Sequence, residues 1–236
     1  MALFLNVNTR YKDVEIGIFN GMECIAHTQT DSKHISKNFL SLIDDMLKTH
    51  AYELNDFDFI SAHQGPAPFT TLRASLASIN GLAFATHTPL IGVNGLEALY
   101  RTHTDSSHDT IVLLNAFCKD VYFCMKSYDH ENHTVQGCMN IDEFIAYVNS
   151  KIIDKPLHII GNGLSLYKQD LKEKLTYTNI LYGDNIECVD LQTVALHAYN
   201  IWENNHRTYD QLMPLYLKGH SAYMVKQDYD IREKQI

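Results

Sequence analysis

Residues 57–86 read Phe57-Asp-Phe-Ile-Ser-Ala-His-Gln-Gly-Pro-Ala-Pro-Phe-Thr-Thr-Leu-Arg-Ala-Ser-Leu-Ala-Ser-Ile-Asn-Gly-Leu-Ala-Phe-Ala-Thr86. Phe57–Ala62 is a short apolar run of strand character. It ends in a Gly- and Pro-containing loop, His63–Thr71, that runs into a long helix, about Thr71 to Thr86. Leu72, Leu76, Ile79 and Ala83 share one face of that helix, and Ala74, Ser78, Gly81 and Ala85 share the opposite one. Large residues pack on a sheet, whereas small ones let a second helix approach closely. Gly81 costs roughly 1 kcal/mol in a helix interior, so it implies a packing reason. Whether that reason is a partner or the chain's own core stays open from sequence.

Around this strand–loop–helix unit the pattern is regular. Upstream, Leu3–Val7 and the alternating Val14–Phe19 read as strands, joined through Asn20-Gly21 to a third near Met22–Thr28. The Asn-Gly pair favours a type I′ hairpin, with φ positive at both positions. A helix from about Ser32 to Thr49 follows, capped by Asp31 or Ser32. Its apolar residues are Ile35, Phe39, Leu40, Leu42, Ile43, Met46 and Leu47. They span about 160° of the wheel, more than the roughly 100° stripe one core needs. A second packing partner, inside or outside the chain, is consistent with that width.

Downstream, Pro89–Val93 is a strand and Asn94 or Gly95 starts a helix to Arg101. The polar stretch His103–His108 reads as a boundary. Three strands then recur (Thr110–Asn115, Asp120–Lys126 and Thr134–Cys138, with a polar turn at Asp129–His133), followed by helix Ile141–Ser150 and strand Leu157–Ile160. A helix from Leu164, a short strand Asn179–Tyr182 and a last helix capped by Asp190 complete it, and Pro214–Lys218 is extended. The order β-β-β-α-β-α thus occurs twice, which predicts an α/β fold of two lobes, each a mixed sheet flanked by helices. The expected division is 1–105, 106–218 and a flexible tail at 219–236.

The 236 residues carry 19 Lys and Arg against 28 Asp and Glu, a formal charge of −9. An acidic chain does not hold nucleic acid mainly by its own surface, nor does it suit anionic membranes. At 45% hydrophobic and 20% charged residues it is globular in composition. There is no apolar run of membrane-spanning length. The start, Met1-Ala-Leu-Phe-Leu-Asn6, lacks a basic n-region and a small-residue cleavage site, so a cytoplasmic protein is expected. The five cysteines make no C-x-x-C pair and read as free thiols. Of the thirteen histidines, His103, His108, His130 and His133 lie in polar stretches and read as solvated loop residues rather than metal ligands. The motifs G-x-x-x-x-G-K-[ST], H-E-x-x-H and G-x-S-x-G are absent.

The segment His63-Gln-Gly-Pro-Ala-Pro-Phe-Thr-Thr-Leu-Arg73 resembles the G-x-G-P-G-S-F-T-G-[LV]-R motif of the bacterial TsaB (YeaZ) family. Gly65, Pro66, Phe69, Thr70 and Arg73 match, as does Leu72 at the [LV] position. Gly81-Leu-Ala, Pro89-Leu-Ile-Gly-Val and Leu96-Glu97 fit the same family, and the likeness runs in order from about residue 3 to 218. Leu5-Asn-Val-Asn8-Thr9 resembles its L-x-[LI]-D-T-S strand, and Asn115-Ala-Phe-Cys-Lys-Asp-Val-Tyr122 its D-A-R-x-x-E-[VL]-Y. Gly161-Asn-Gly163 and Pro214-Leu-Tyr-Leu-Lys218 match its G-x-G turn and P-x-Y-L-R ending.

The resemblance implies the actin-like (ASKHA) fold and an accessory subunit in making threonylcarbamoyladenosine on tRNA, next to the anticodon. The implied partners are the catalytic paralogue TsaD and the ATPase TsaE, with a homodimer in the absence of TsaD and little direct tRNA contact. The family's partner surface would fall on the 32–49 and 71–86 helices, which offers Ile35, Phe39, Leu42, Ile43, Met46, Ala74, Ser78, Gly81 and Ala85 as contact residues. No catalytic residue is expected. Catalytic relatives carry a His-x-x-x-His metal pair where this chain has Gly95 and Leu99. The nucleotide cleft of the fold, at Asn8, Thr9 and Asn115, carries amides where acids would organise a metal. Two of the motif's glycines become Ala67 and Thr71, and its serine becomes Pro68, which removes an N–H donor. ATP and metal are therefore expected on partner subunits. The alternatives are an independent ATP-hydrolysing enzyme of the same fold or a metallopeptidase.

Overall fold

The computed structural model describes residues 1–128, 133–151, 153–205 and 208–218. It forms two units, Met1–Leu99 with Cys188–Tyr216, and Tyr100–Glu187 with Leu217 and Lys218. The first unit contains strands β1 (Leu3–Thr9), β2 (Asp13–Asn20) and β3 (Glu23–Asp31), then helix α1 (Ile35–His50) and strand β4 (Phe59–His63). Helix α2 (Phe69–Thr86), strand β5 (Leu90–Val93) and helix α3 (Gly95–His103) follow, with α3 crossing the boundary. The sheet runs β3-β2-β1-β4-β5, antiparallel over the first three strands and parallel over the rest.

The second unit repeats this path with β6 (Asp109–Asn115), β7 (Asp120–Lys126), β8 (Thr134–Asn140), α4 (Ile141–Asn149), β9 (Leu157–Ile160), α5 (Asn162–Lys174) and β10 (Ile180–Tyr182). Its order is β10-β9-β6-β7-β8, the same arrangement read from the other edge. Leu113, Phe123, Phe144, Leu157 and Leu171 centre its core. The duplicated lobes expected from the element order are present.

One side of β1 presents Leu5 and Val7 to a core completed by α1 and α2. The other side presents Phe4, which stacks on Phe59 at 4.4 Å and faces Tyr199 at 6.4 Å. Phe59 in turn stacks on Trp202 at 4.9 Å. Tyr199 and Trp202 belong to the last helix, α6 (Leu191–Asn205). The division at 106–218 is corrected here: residues 188–216 belong with the first unit. The aromatic face of β1 and β4 needs an apolar cover, and α6 provides it. The proposed tail, 219–236, lies outside the described residues, as does most of the polar turn, 129–132.

Local capping accounts for the shifted helix starts. Asp31 Oδ1 accepts the Lys33 N–H, which makes a 3-10 turn of Ser32–His34 and delays α1 to Ile35. Pro68 takes the N-cap of α2, and its carbonyl accepts the Leu72 N–H at 2.9 Å, so α2 begins at Phe69 rather than Thr71. The β2–β3 turn also differs from expectation. Asn20 pairs with Glu23, leaving Gly21 and Met22 as the loop, and φ is positive at Gly21 (+60°) but not at Asn20. That is the glycine-first pattern of a type II′ turn.

Candidate functional site: the motif loop and the exposed face of α2

The motif loop is tied down at every stage. His63 ends β4 and donates from Nδ1 to the Thr9 carbonyl at 3.0 Å. Thr9 Oγ1 lies 2.7 Å from Ser75 Oγ on α2, so β1, β4 and α2 meet through one buried polar chain. Gln64 N–H donates to Val93 O, its Nε2 donates to Met213 O, and its carbonyl accepts the Leu215 N–H. Gly65 has φ of +117°, the left-handed side that favours glycine, and its carbonyl accepts the Gly95 N–H at 2.9 Å. Gly65 and Pro66 are buried, whereas Phe69, Thr70 and Arg73 are exposed. Arg73 lies 3.5 Å over the Phe69 ring and donates from Nε to Tyr216 Oη at 2.7 Å.

The positions of the missing metal histidines are closed. Leu99 is buried in the core. A Cβ at Gly95 would fall well under 3.0 Å from His63 Nε2, so the His63 imidazole fills that space. His63 stands at the first glycine of the motif pattern, a substitution the sequence reading passed over. Its Nε2 is buried without a regular hydrogen bond. Burial pushes the ring pKa down to about 4, against the pull of the Thr9 and Gly65 carbonyls.

Asn8 is more than a weakened aspartate. Its Nδ2 donates to Glu15 Oε2 at 3.1 Å and to Val189 O at 2.9 Å. Glu15 is also held by Arg10 at 3.0 Å. The surroundings of Asn8 are acceptors, so they require a donor and disfavour a carboxylate. In the second unit, Asn115 Oδ1 accepts the Phe117 N–H at 2.9 Å, and its own N–H donates to Asn162 Oδ1 at 2.8 Å. That amide shapes the β6–β7 turn, where Phe117, Cys118 and Lys119 all have positive φ. The Asn8 environment therefore does not fit the carboxylate role in holding a hard divalent cation, whereas the backbone N–H that Asn115 Oδ1 accepts would suit an amide or a carboxylate alike.

The expected partner face is corrected on both helices. Ile35, Phe39, Ile43 and Met46 are buried in the first unit's own core, and Leu42 packs against it. Apart from Leu40, the wide apolar arc of α1 is thus filled from within, by β3 and α2. On α2, Ala74 packs against the core, Ser78 is half-buried, and only Gly81 and Ala85 of the four are exposed. The open face runs through Phe69, Thr70, Arg73, Ala77, Gly81 and Phe84. At 100° per residue it is centred on Ala77, rotated roughly 70° from the expected face. Phe84 is 82% exposed, and a Cβ at Gly81 would meet nothing within 4 Å. Ala77 and Phe84 were missed, although their i, i+4, i+7 spacing with Gly81 is legible. Leu40, at the edge of the α1 apolar arc, is 53% exposed, although it is not among the expected contact residues.

His108 is not a solvated loop residue: its Nε2 lies 3.1 Å from His158 Nδ1. Burial and the neighbouring His108 and His103 hold His158 below its ordinary pKa. Among the described residues, no three His, Cys, Asp or Glu side chains form a metal-binding group. No described helix is long and apolar enough to cross a membrane.

Two mixed five-stranded sheets with one strand path, each flanked by helices, define a duplicated actin-like α/β protein. The solved YeaZ structure from Pseudomonas aeruginosa matches with a TM-score of 0.66 at 16% identity, covering 91% of this chain and all of that one. The family model described as "TsaD: tRNA N6-adenosine threonylcarbamoyltransferase" matches residues 25–169. The tRNA threonylcarbamoyladenosine biosynthesis protein TsaB of Haemophilus influenzae is 28% identical over 196 residues, 75% of this chain and 83% of that protein. The protein of the same name from Buchnera aphidicola is 22% identical over 185 residues, 75% and 80% of the two chains. The chain belongs to the TsaD family, in its TsaB (YeaZ) branch.

Proposed function

We propose that this chain serves threonylcarbamoyladenosine modification of tRNA in the cytoplasm as a non-catalytic subunit. It docks on a TsaD-type catalytic paralogue through the exposed face of α2, with a TsaE-type ATPase joining the pair. In the absence of the paralogue, the same face supports a homodimer. The observation that carries this reading is the α2 face itself, flat at Ala77 and Gly81 and flanked by the exposed Phe84 and Phe69. Exposed aromatic anchors beside small residues are what a helix-packing interface uses.

The metal-histidine positions at Gly95 and Leu99 add support, because His63 and the core occupy them. ATP and metal chemistry are accordingly assigned to the partners. The charge of −9 assigns direct tRNA contact to a partner as well. The test mixes the purified chain with its genome's TsaD-type paralogue. Co-elution and restored tRNA modification are expected. Absence of a complex at micromolar concentration overturns the reading, and nucleotide turnover by the isolated chain replaces it with an independent enzyme.

A further inference from the structure

Two residues 143 positions apart in sequence meet at the start of α2. The Arg73 guanidinium lies 3.5 Å over the Phe69 ring and 5.3 Å from the centre of the Tyr216 ring, and its Nε donates to Tyr216 Oη at 2.7 Å. The segment that carries Tyr216 is pinned just upstream. Gln64 Nε2 donates to Met213 O, and the Gln64 carbonyl accepts the Leu215 N–H. Asn80 Nδ2 donates to Leu212 O at 2.9 Å, and Asn80 Oδ1 accepts the Leu212 N–H at 2.8 Å. Stacking and the Nε bond thus fix the guanidinium plane of an exposed side chain before any partner arrives. Among the described residues nothing bonds Nη1 or Nη2, so the outer nitrogens of the fork stay open.

Given the docking role of α2, on which the inference rests, we propose that Arg73 is a partner-selecting residue. Its open Nη pair takes a carboxylate from an Asp or Glu on the facing helix of the TsaD-type paralogue. Arg73 is the sole charged residue of α2, Phe69–Thr86. A closed homodimer sets this face against itself across a two-fold axis. With the crossing at Ala77, Arg73 and Gly81, each four residues from the centre, lie opposite one another. The facing α2 then offers no carboxylate, and self-pairing covers the cation without a counter-ion. A different helix with an acid at that point closes a charge-assisted, two-bond pair. The planar fork matches that geometry and a lysine does not. The same arginine favours the paralogue and disfavours a second copy, the two-sided form that specificity takes.

The test measures affinity of the full chain for its genome's TsaD-type paralogue by isothermal titration calorimetry, and self-association of the chain alone by analytical ultracentrifugation. Arg73→Gln should weaken the complex roughly 30-fold or more and leave the homodimer unchanged or tighter. Arg73→Lys should not restore the loss. Tyr216→Phe, which keeps the ring but removes the acceptor for Nε, should weaken the complex about three- to tenfold. Circular dichroism checks that these exposed substitutions leave the fold intact. Single Asp→Asn and Glu→Gln changes on the paralogue's interface helices should include one whose loss is not additive with that of Arg73→Gln. Equal weakening of complex and homodimer by Arg73→Gln, additivity for every acid, or unchanged affinity in Arg73→Gln while Gly81→Arg breaks the complex overturns selection by Arg73 and leaves the docking role standing. Failure of the wild-type chain to bind the paralogue overturns the docking role, and the selection with it.

Discussion

The His63 imidazole occupies the space that a side chain at residue 95 would need. A histidine at position 95 therefore does not restore the metal pair of catalytic relatives; it collides with His63. Gly95→His and Gly95→Ala are expected to lose about 1–3 kcal/mol of stability, the usual cost of overpacking. Combining Gly95→Ala with His63→Gly should recover part of that loss. Urea denaturation of the singles and the double measures the coupling, and strict additivity contradicts the contact.

The same ring makes the fold acid-sensitive in a defined window. The folded-state pKa of His63 is about 4, below its ordinary 6.5. Between these values the unfolded chain binds a proton that the folded chain does not. Stability contributed by the neutral ring is full above pH 6.5 and is lost as pH falls toward 4. The expected contribution is roughly 3 kcal/mol. His63→Gln removes it, so the difference in unfolding free energy between wild type and variant should vary across that window and level off above it.

Asn8 faces two acceptors, Glu15 Oε2 and Val189 O. Asn8→Asp replaces a donor with a carboxylate beside a buried carboxylate. The expected loss is about 2 kcal/mol at neutral pH. It should shrink as pH falls, because protonating one carboxyl restores a donor. Thermal melts at pH 8 and pH 5 check this; equal losses at both argue against the arrangement.

Gly81 points into open space at a helical backbone position. Gly81→Ala should stabilise the chain by up to about 1 kcal/mol. Gly81→Arg should leave stability within about 0.5 kcal/mol, as surface changes do. It should weaken association with the TsaD-type paralogue by tenfold or more, as should Phe84→Ala. Ile43→Arg, in contrast, should unfold the first unit, because Ile43 is core. Size-exclusion chromatography and circular dichroism on the same samples separate these outcomes.

Much of the fold was legible in the sequence because strand alternation, turn residues and helix caps are local. The duplicated order of elements and the motif from residue 63 to 73 follow from such signals. The helix faces were less legible. The apolar arc of α1 has the same width whether its extra flank meets a partner or a neighbouring element, and only its packing between β3 and α2 decides. Placing α6 failed for a related reason: chain order follows the second unit, while the aromatic face of Phe4 and Phe59 draws the helix back to the first.

By itself, the sequence determined the class of fold, the family and the absence of histidines at 95 and 99. Only the tertiary structure decided what fills those places. It put His63 against Gly95, Asn8 against Glu15, and His108 against His158 across 50 residues of chain. It also decided which side of α2 is free. Local signals fix how a segment folds, but which residues share a buried space depends on sheet order and on helices packing from distant parts of the chain.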